Sequence, residues 1–283
     1  MGEFLAYKQQ FSFLARYGEP FCVFDKNDSG NISFGVENKN GERFFVKIAG
    51  RTTEIAVITP AQCVAYLEQA VPLYEEMRHP NLIELVEYFT YEKYFAAVFR
   101  WREGECLYDH WNFDHYAKTG EPRPFERFCE LPLEKRLRSF EVMLSFFEAV
   151  EAARYVSIDF YLGTWMYDFD MDTTTFCDID FFLKQPCRNE MGRMWGQERF
   201  MAPEEWVLGA VLDDRTNVYR LGAAAFTFLC GRLDWYSKEL DRSAEKWQAN
   251  PALYQVALKA TMPDPTERYA CAANFIADWH AAL

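Results

Sequence analysis

The period of the apolar residues changes once along this chain, near residue 105, and that change restricts the architectures open to it. Before it, short runs are alternating or wholly apolar: FCVFD (21–25), NISFGVEN (31–38), RFFVKIA (43–49), NLIELVEYFTY (81–91) and YFAAVFRW (94–101). The turn-forming stretches KNDSG (26–30) and NKNGE (38–42) separate the first three. Such runs predict strands. One segment of this half, ITPAQCVAYLEQAVPLYEEM (58–77), has apolar residues at helical spacing; Pro60 suits its first turn, and Pro72 is placed to break or kink its middle. Beyond residue 105 the 3.6-residue period dominates, with helices predicted over 133–154, 217–231, 251–260 and 273–282. A hairpin is predicted over 164–180, followed by an irregular stretch, and HYAKTGEPRPFERF (115–128) reads as a surface loop. The expected fold class is α+β, with a small antiparallel β lobe over residues 1–105, a hinge at about 100–105, and a larger helical lobe over 106–283.

Half of the 283 residues are hydrophobic and 26 are Phe, so a core of this size is readily filled. A net charge of −13 argues against non-specific nucleic-acid binding and against docking on an anionic membrane, both of which need a basic surface. None of the eight cysteines forms a C-x-x-C pair or a Cys/His cluster with zinc spacing, which suggests reduced thiols and a cytoplasmic setting. The N-terminus lacks a secretory pattern, Ala6 stands where a myristoylation signal needs Ser or Thr, and no apolar run is long enough to span a bilayer. His110 and His115, beside Asp109 and Asp114, have no third ligand set by spacing and are not read as a metal site. The aromatic stripe over 140–150 reads as core.

Several short motifs stand in order along the second half. FMAPEEW (200–206) contains A-P-E, NVYRLGAAAFTFLCGR (217–232) is an apolar helix with a polar start, and DPTERYA (264–270) carries Arg268. EEMRHPNLIELVEYF (75–89) and RYVSIDFYLGT (154–164) precede them. Together these resemble a protein kinase domain over nearly the whole chain, and specifically the bacterial eukaryotic-type Ser/Thr kinases. The resemblance implies a bilobal kinase-like fold with a nucleotide cleft between the lobes, ATP and Mg²⁺ as cofactors, and a protein substrate or partner; the oligomeric state stays open. It pairs Glu204 with Arg268. FFVK (44–47) resembles V-A-I-K, making Lys47 the phosphate lysine; DFF (180–182) resembles D-F-G, making Asp180 the metal ligand; and Asp159 takes the place of the H-R-D aspartate. Thr164 stands at the second metal position. Gly30 and Asn31 lie in the phosphate turn, Phe99 at the gate of the adenine pocket, and Arg100 and Trp101 in the hinge.

The departures from the family pattern are specific. Lys26, Asp28 and Asn31 occupy the glycine positions of the phosphate loop, leaving Gly30 alone. Phe45 replaces a small residue where a ring would crowd adenine. Ala70 stands where a lysine-pairing glutamate belongs, and Glu68 serves only if the helix there is irregular. Ser157 and Ile158 replace His and Arg, Tyr161 replaces a lysine, Phe182 a glycine and Asn217 an aspartate. Asp178 and Asp180 are expected to project to one face of a strand, with Asp178 either a second metal ligand or structurally paired. Residues 181–203 contain no Ser, Thr or Tyr, which matches the loss of the arginine that would hold a phosphate there. The leading expectation is an ATP- and Mg²⁺-dependent Ser/Thr protein kinase not switched by phosphorylation of that segment. A pseudokinase scaffold and a small-molecule phosphotransferase are the alternatives.

Overall fold

A computed structural model describes residues 2–26, 29–51, 57–109, 112–231 and 238–283, with side chains from residue 6 onward. The chain divides into two compact units: Met1–Glu76 with Ile83–Glu103 and His110–Phe113, and Met77–Leu82 with Gly104–Asp109 and Asp114–Leu283.

The first unit is built on a five-stranded antiparallel sheet, preceded by a helix α1 (Gly2–Gln10) and a 3₁₀ turn (Ser12–Arg16). The strands are β1 (Glu19–Phe24), β2 (Ile32–Glu37), β3 (Arg43–Ala49), β4 (Leu85–Tyr91) and β5 (Tyr94–Arg100), in the order β1-β2-β3-β5-β4. Strand alternation sorts their side chains into two sets. Ile32, Phe34 and Val36 on β2, Phe44, Val46 and Ile48 on β3, and Tyr94, Ala96 and Val98 on β5 form one core with Phe11, Phe13, Leu14 and Tyr17. Phe11 meets Phe34 and Tyr94 edge-on, at 5.9 and 5.1 Å between ring centroids. The N-terminal segment therefore covers a sheet face, a role its sequence did not reveal.

Helix α2 (Pro60–Glu76) packs on β3, β4 and β5. It runs unbroken through Pro72, contrary to the expected interruption. Pro72 is exposed, and burial of Cys63, Leu67, Ala70, Val71, Leu73 and Tyr74 along the inward face offsets the missing backbone donor.

The second unit is mainly helical. Its elements are β6 (Glu105–Cys106), α3 (Phe113–Thr119, starting in the first unit), α4 (Pro124–Glu130), α5 (Leu133–Ala152), β7 (Tyr155–Val156), β8 (Trp165–Asp168), β9 (Thr173–Phe176), β10 (Leu183–Lys184), β11 (Cys187–Arg188), β12 (Val211–Leu212), α6 (Asp214–Leu229), α7 (Pro251–Ala260) and α8 (Ala272–Ala282). The stretch expected as a surface loop over 115–128 instead forms most of α3 and the start of α4. Phe125 and Phe128 on α4 are buried against Phe228 of α6, at 6.2 and 5.2 Å. Composition misled there because two aromatic residues outweigh several polar ones once a partner face exists.

Helix α6 is buried along almost its whole length. Asp213 caps it, accepting from the Arg215 amide at 2.9 Å while Thr216 accepts from the Asp213 amide at 3.3 Å. Gly222 allows the crossing with α7: a Cβ there would lie 2.8 Å from that of Ala260 and 2.9 Å from the Ala257 carbonyl. Residues 77–82 join this unit through the Asn81 side chain, which donates to the Thr174 carbonyl at 2.8 Å, and a bridge from Leu82 to Phe176. Among the described residues no helix is long and apolar enough to cross a membrane.

Candidate functional site

In the first unit Lys47 lies mid-strand on β3, between Ser33 of β2 and Ala97 of β5, and is half-buried. Phe45, two residues earlier and on the same face, sits 5.8 Å from Phe24 and 6.4 Å from Phe99. Phe99 is buried and packs edge-on against Tyr74 of α2 at 4.9 Å. This face of the sheet is thus lined by aromatic rings around Lys47. Glu68 is exposed on a regular helix, so the irregularity that would bring it inward is absent; Ala70 faces the core.

Gly30 adopts φ +74°, a conformation suited to glycine. Asn31 is buried, accepting from the Cys63 thiol at 3.0 Å and contacting Ser29 Oγ through Nδ2 at 3.3 Å. Asp28 lies outside the described residues, as does His110. Arg100 is exposed over the Phe44 ring and 3.6 Å from Glu42. The Trp101 backbone N–H donates to the Arg43 carbonyl at 3.1 Å, and its ring meets Phe21 at 5.0 Å.

In the second unit the loop 157–164 is held from both ends. Ser157 donates its N–H and its hydroxyl to Asn217 Oδ1, at 2.9 and 2.8 Å, and Asn217 Nδ2 donates to the Tyr155 carbonyl at 2.8 Å. Asn217 is fully buried at the start of α6, so this helix anchors the loop. Ile158 is buried with Val156, Met194, Met201 and Leu212. Where the family pattern has an arginine to grip a phosphate, the 181–204 segment here meets the loop through two methionines. Phe160 is buried edge-on against Phe147 and Phe200. Between these two buried side chains Asp159 is half-buried, with φ +58°. That left-handed turn at a non-glycine residue sets Asp159 apart from its buried neighbours.

Tyr161 donates a hydrogen bond from its hydroxyl to Asp178 Oδ2, and its ring meets that of Tyr108 edge-on, 5.9 Å between centroids. Burial pushes the Tyr161 phenol well above its ordinary range, and the Asp178 and Asp159 carboxylates act the same way. Tyr161 therefore stays protonated and is the donor, and Asp159, Tyr161 and Asp178 form one electrostatic cluster. Gly163 makes room for the ring: a Cβ there would fall 2.2 Å from Tyr161 Cε2. Asp178 has φ +52°, so strand alternation ends at Phe176 and does not extend to Asp180 as expected. Asp180 is half-buried in a turn closed by the Phe182 amide on the Ile179 carbonyl at 3.0 Å. Of the two expectations for Asp178, structural pairing describes this contact; its partner, Tyr161, was not anticipated.

The donor chemistry around this cluster is carboxylate and hydroxyl oxygen, which suits Mg²⁺. Thr164 is fully buried, and its Oγ1 has no hydrogen-bond partner among the described residues, which fits an oxygen held ready for a ligand. Among the described residues no three His, Cys, Asp or Glu side chains are grouped to hold a metal ion. Asp109 is buried 3.4 Å from Arg123.

Below the loop, Glu204 and Arg268 form a buried two-point ion pair, with Nη1 to Oε1 at 2.7 Å and Nη2 to Oε2 at 2.9 Å. A second buried pair, Arg220 with Glu205, joins α6 to the 3₁₀ turn Pro203–Trp206 that also carries Glu204, and was not anticipated. Burial pushes the Glu205 carboxyl up, opposed by Arg220 beside it. No model of a known protein family matches the chain, and no curated protein matches it.

Proposed function

We propose that this chain is a kinase-type phosphotransferase, an ATP- and Mg²⁺-dependent cytoplasmic protein kinase acting on Ser/Thr hydroxyls. The observation that carries this reading is the placement of Asp159. It stands on a left-handed turn between the Ser157–Asn217 anchor and buried Phe160, a rigid setting for a group that must orient an attacking hydroxyl. Lys47 supplies the cation for the phosphates from β3. Asp180, Asp178 and Thr164 are the oxygen donors for the metal ion. Magnesium, when bound, would neutralise charge on the phosphate oxygens. Gly30, Asn31, Phe99, Arg100 and Trp101 are the proposed nucleotide contacts of the first unit. The methionine-lined contact of Ile158 with the 181–204 segment supports a segment held by packing rather than by phosphate.

A second reading, a pseudokinase scaffold, is favoured by the Tyr161 hydroxyl on Asp178, which satisfies a carboxylate that phosphoryl transfer would need for metal. Two measurements separate them. Thermal shift with millimolar ATP, with and without Mg²⁺, should show metal-dependent stabilisation that Asp178→Asn or Asp180→Asn reduces. Transfer of labelled phosphate to a Ser/Thr peptide mixture should vanish in Asp159→Asn. Stabilisation without transfer selects the scaffold, and no nucleotide effect overturns the kinase reading.

A further inference from the structure

We propose that Tyr161 is a built-in competitor for the cation at Asp178: its hydroxyl occupies a carboxylate oxygen, and a divalent ion binds there only when that hydroxyl leaves. What that ion would serve rests on the kinase-type reading; the competition itself does not.

Four features make the contact a constructed one. The hydroxyl donates to Asp178 Oδ2, placing the positive end of an O–H dipole against an oxygen that a metal ion would use. The ring occupies a slot that exists only because residue 163 is glycine. A Cβ at that position would lie 2.2, 2.5 and 2.7 Å from Tyr161 Cε2, Cζ and the hydroxyl oxygen. The Gly163 backbone is not in the left-handed region, so backbone conformation does not call for glycine there; the ring does. The next residue, Thr164, is fully buried and its hydroxyl has no hydrogen-bond partner among the described residues, a second oxygen that a cation could engage. Asp178 stands at φ +52°, two residues past the end of β9, where its carboxylate accepts from the Tyr161 hydroxyl.

The test is Mn²⁺ binding without nucleotide, followed by electron paramagnetic resonance, on the whole chain. Tyr161→Phe removes the hydroxyl and keeps the ring. Gly163→Ala keeps the hydroxyl and forces the ring out of its slot. Both should bind Mn²⁺ about ten-fold or more tightly than the wild type, the scale of losing one charge-assisted hydrogen bond. Adding Asp178→Asn to either should erase the gain. Circular dichroism verifies folding, and either single variant suffices if the other fails to fold. Equal affinity in a folded variant and the wild type overturns the proposal, as does a gain that survives Asp178→Asn. A gain in Mn²⁺ affinity without any ATP stabilisation would keep the competition and discard the kinase reading; the reverse outcome would do the opposite.

Discussion

Replacing Arg268 with Ala should unfold the helical unit at much lower denaturant than the wild type. Arg268 is 5% exposed and Glu204 8%, so their pair is out of reach of bulk screening. The guanidinium makes both bonds to Glu204 and also donates to the carbonyls of Met262, Pro263 and Arg215, at 2.7, 3.0 and 3.1 Å. It lies 4.9 Å above the Tyr219 ring as well. Its removal leaves the Glu204 carboxylate with the Thr216 hydroxyl at 2.9 Å, a single neutral donor for a buried charge. Breaking a buried pair by deleting one partner costs about 3–5 kcal/mol. Because three carbonyls lose their donor as well, about 4 kcal/mol is expected, a fall in melting temperature of about 8–16 °C. Urea unfolding followed by tryptophan fluorescence measures it. The double variant Arg268→Met with Glu204→Leu should recover much of the loss, since it removes the stranded charge along with its partner. A loss under about 1 kcal/mol for Arg268→Ala, or a double variant as unstable as the single one, would refute the view that this pair carries charge compensation in the buried interior.

Two further outcomes follow from contacts near the loop. Asn217→Asp should destabilise by about 1–3 kcal/mol, because the Nδ2 donor to the Tyr155 carbonyl becomes a second acceptor facing it; unchanged urea midpoints would count against the anchor. Half-buried His79 accepts the Asn81 N–H on Nδ1 at 3.1 Å, and burial lowers its pKa below the ordinary 6.5. The folded state therefore takes up this proton at lower pH than the unfolded chain, so the contribution of His79 is intact above about pH 6.5 and declines as pH falls below it. The difference between unfolding midpoints at pH 7.5 and 5.5 should shrink in His79→Asn, and an unaltered difference would remove His79 as the cause.

Much of the fold was legible because its elements announce themselves locally. RFFVKIA matches β3 residue for residue, PALYQVALKA matches α7, and the 133–154 pattern yields α5 to within two residues at its C-terminal end. The Glu204–Arg268 contact implied by the family resemblance is present as a two-point pair. What the sequence concealed depended on distant partners. The N-terminal segment carries little periodicity of its own, yet Phe11 and Phe13 complete a sheet core with residues up to Val98. Pro72 is a helix breaker in isolation and a tolerated surface residue once α2 has a sheet to lie on.

The sequence by itself determined the order of the elements, the change from strands to helices, and the residue types available to the site: Lys47, Asp159, Asp178, Asp180 and Thr164. These follow from periodicity and chemistry, which are properties of neighbours along the chain. Tertiary structure alone decided that the Asp178 carboxylate accepts from the Tyr161 phenol. Whether Asp178 faces a metal ion or a phenol depends on a left-handed turn, a missing Cβ at Gly163 and the direction of the Tyr161 ring. Those are set by packing across the second unit, and no local pattern encodes them.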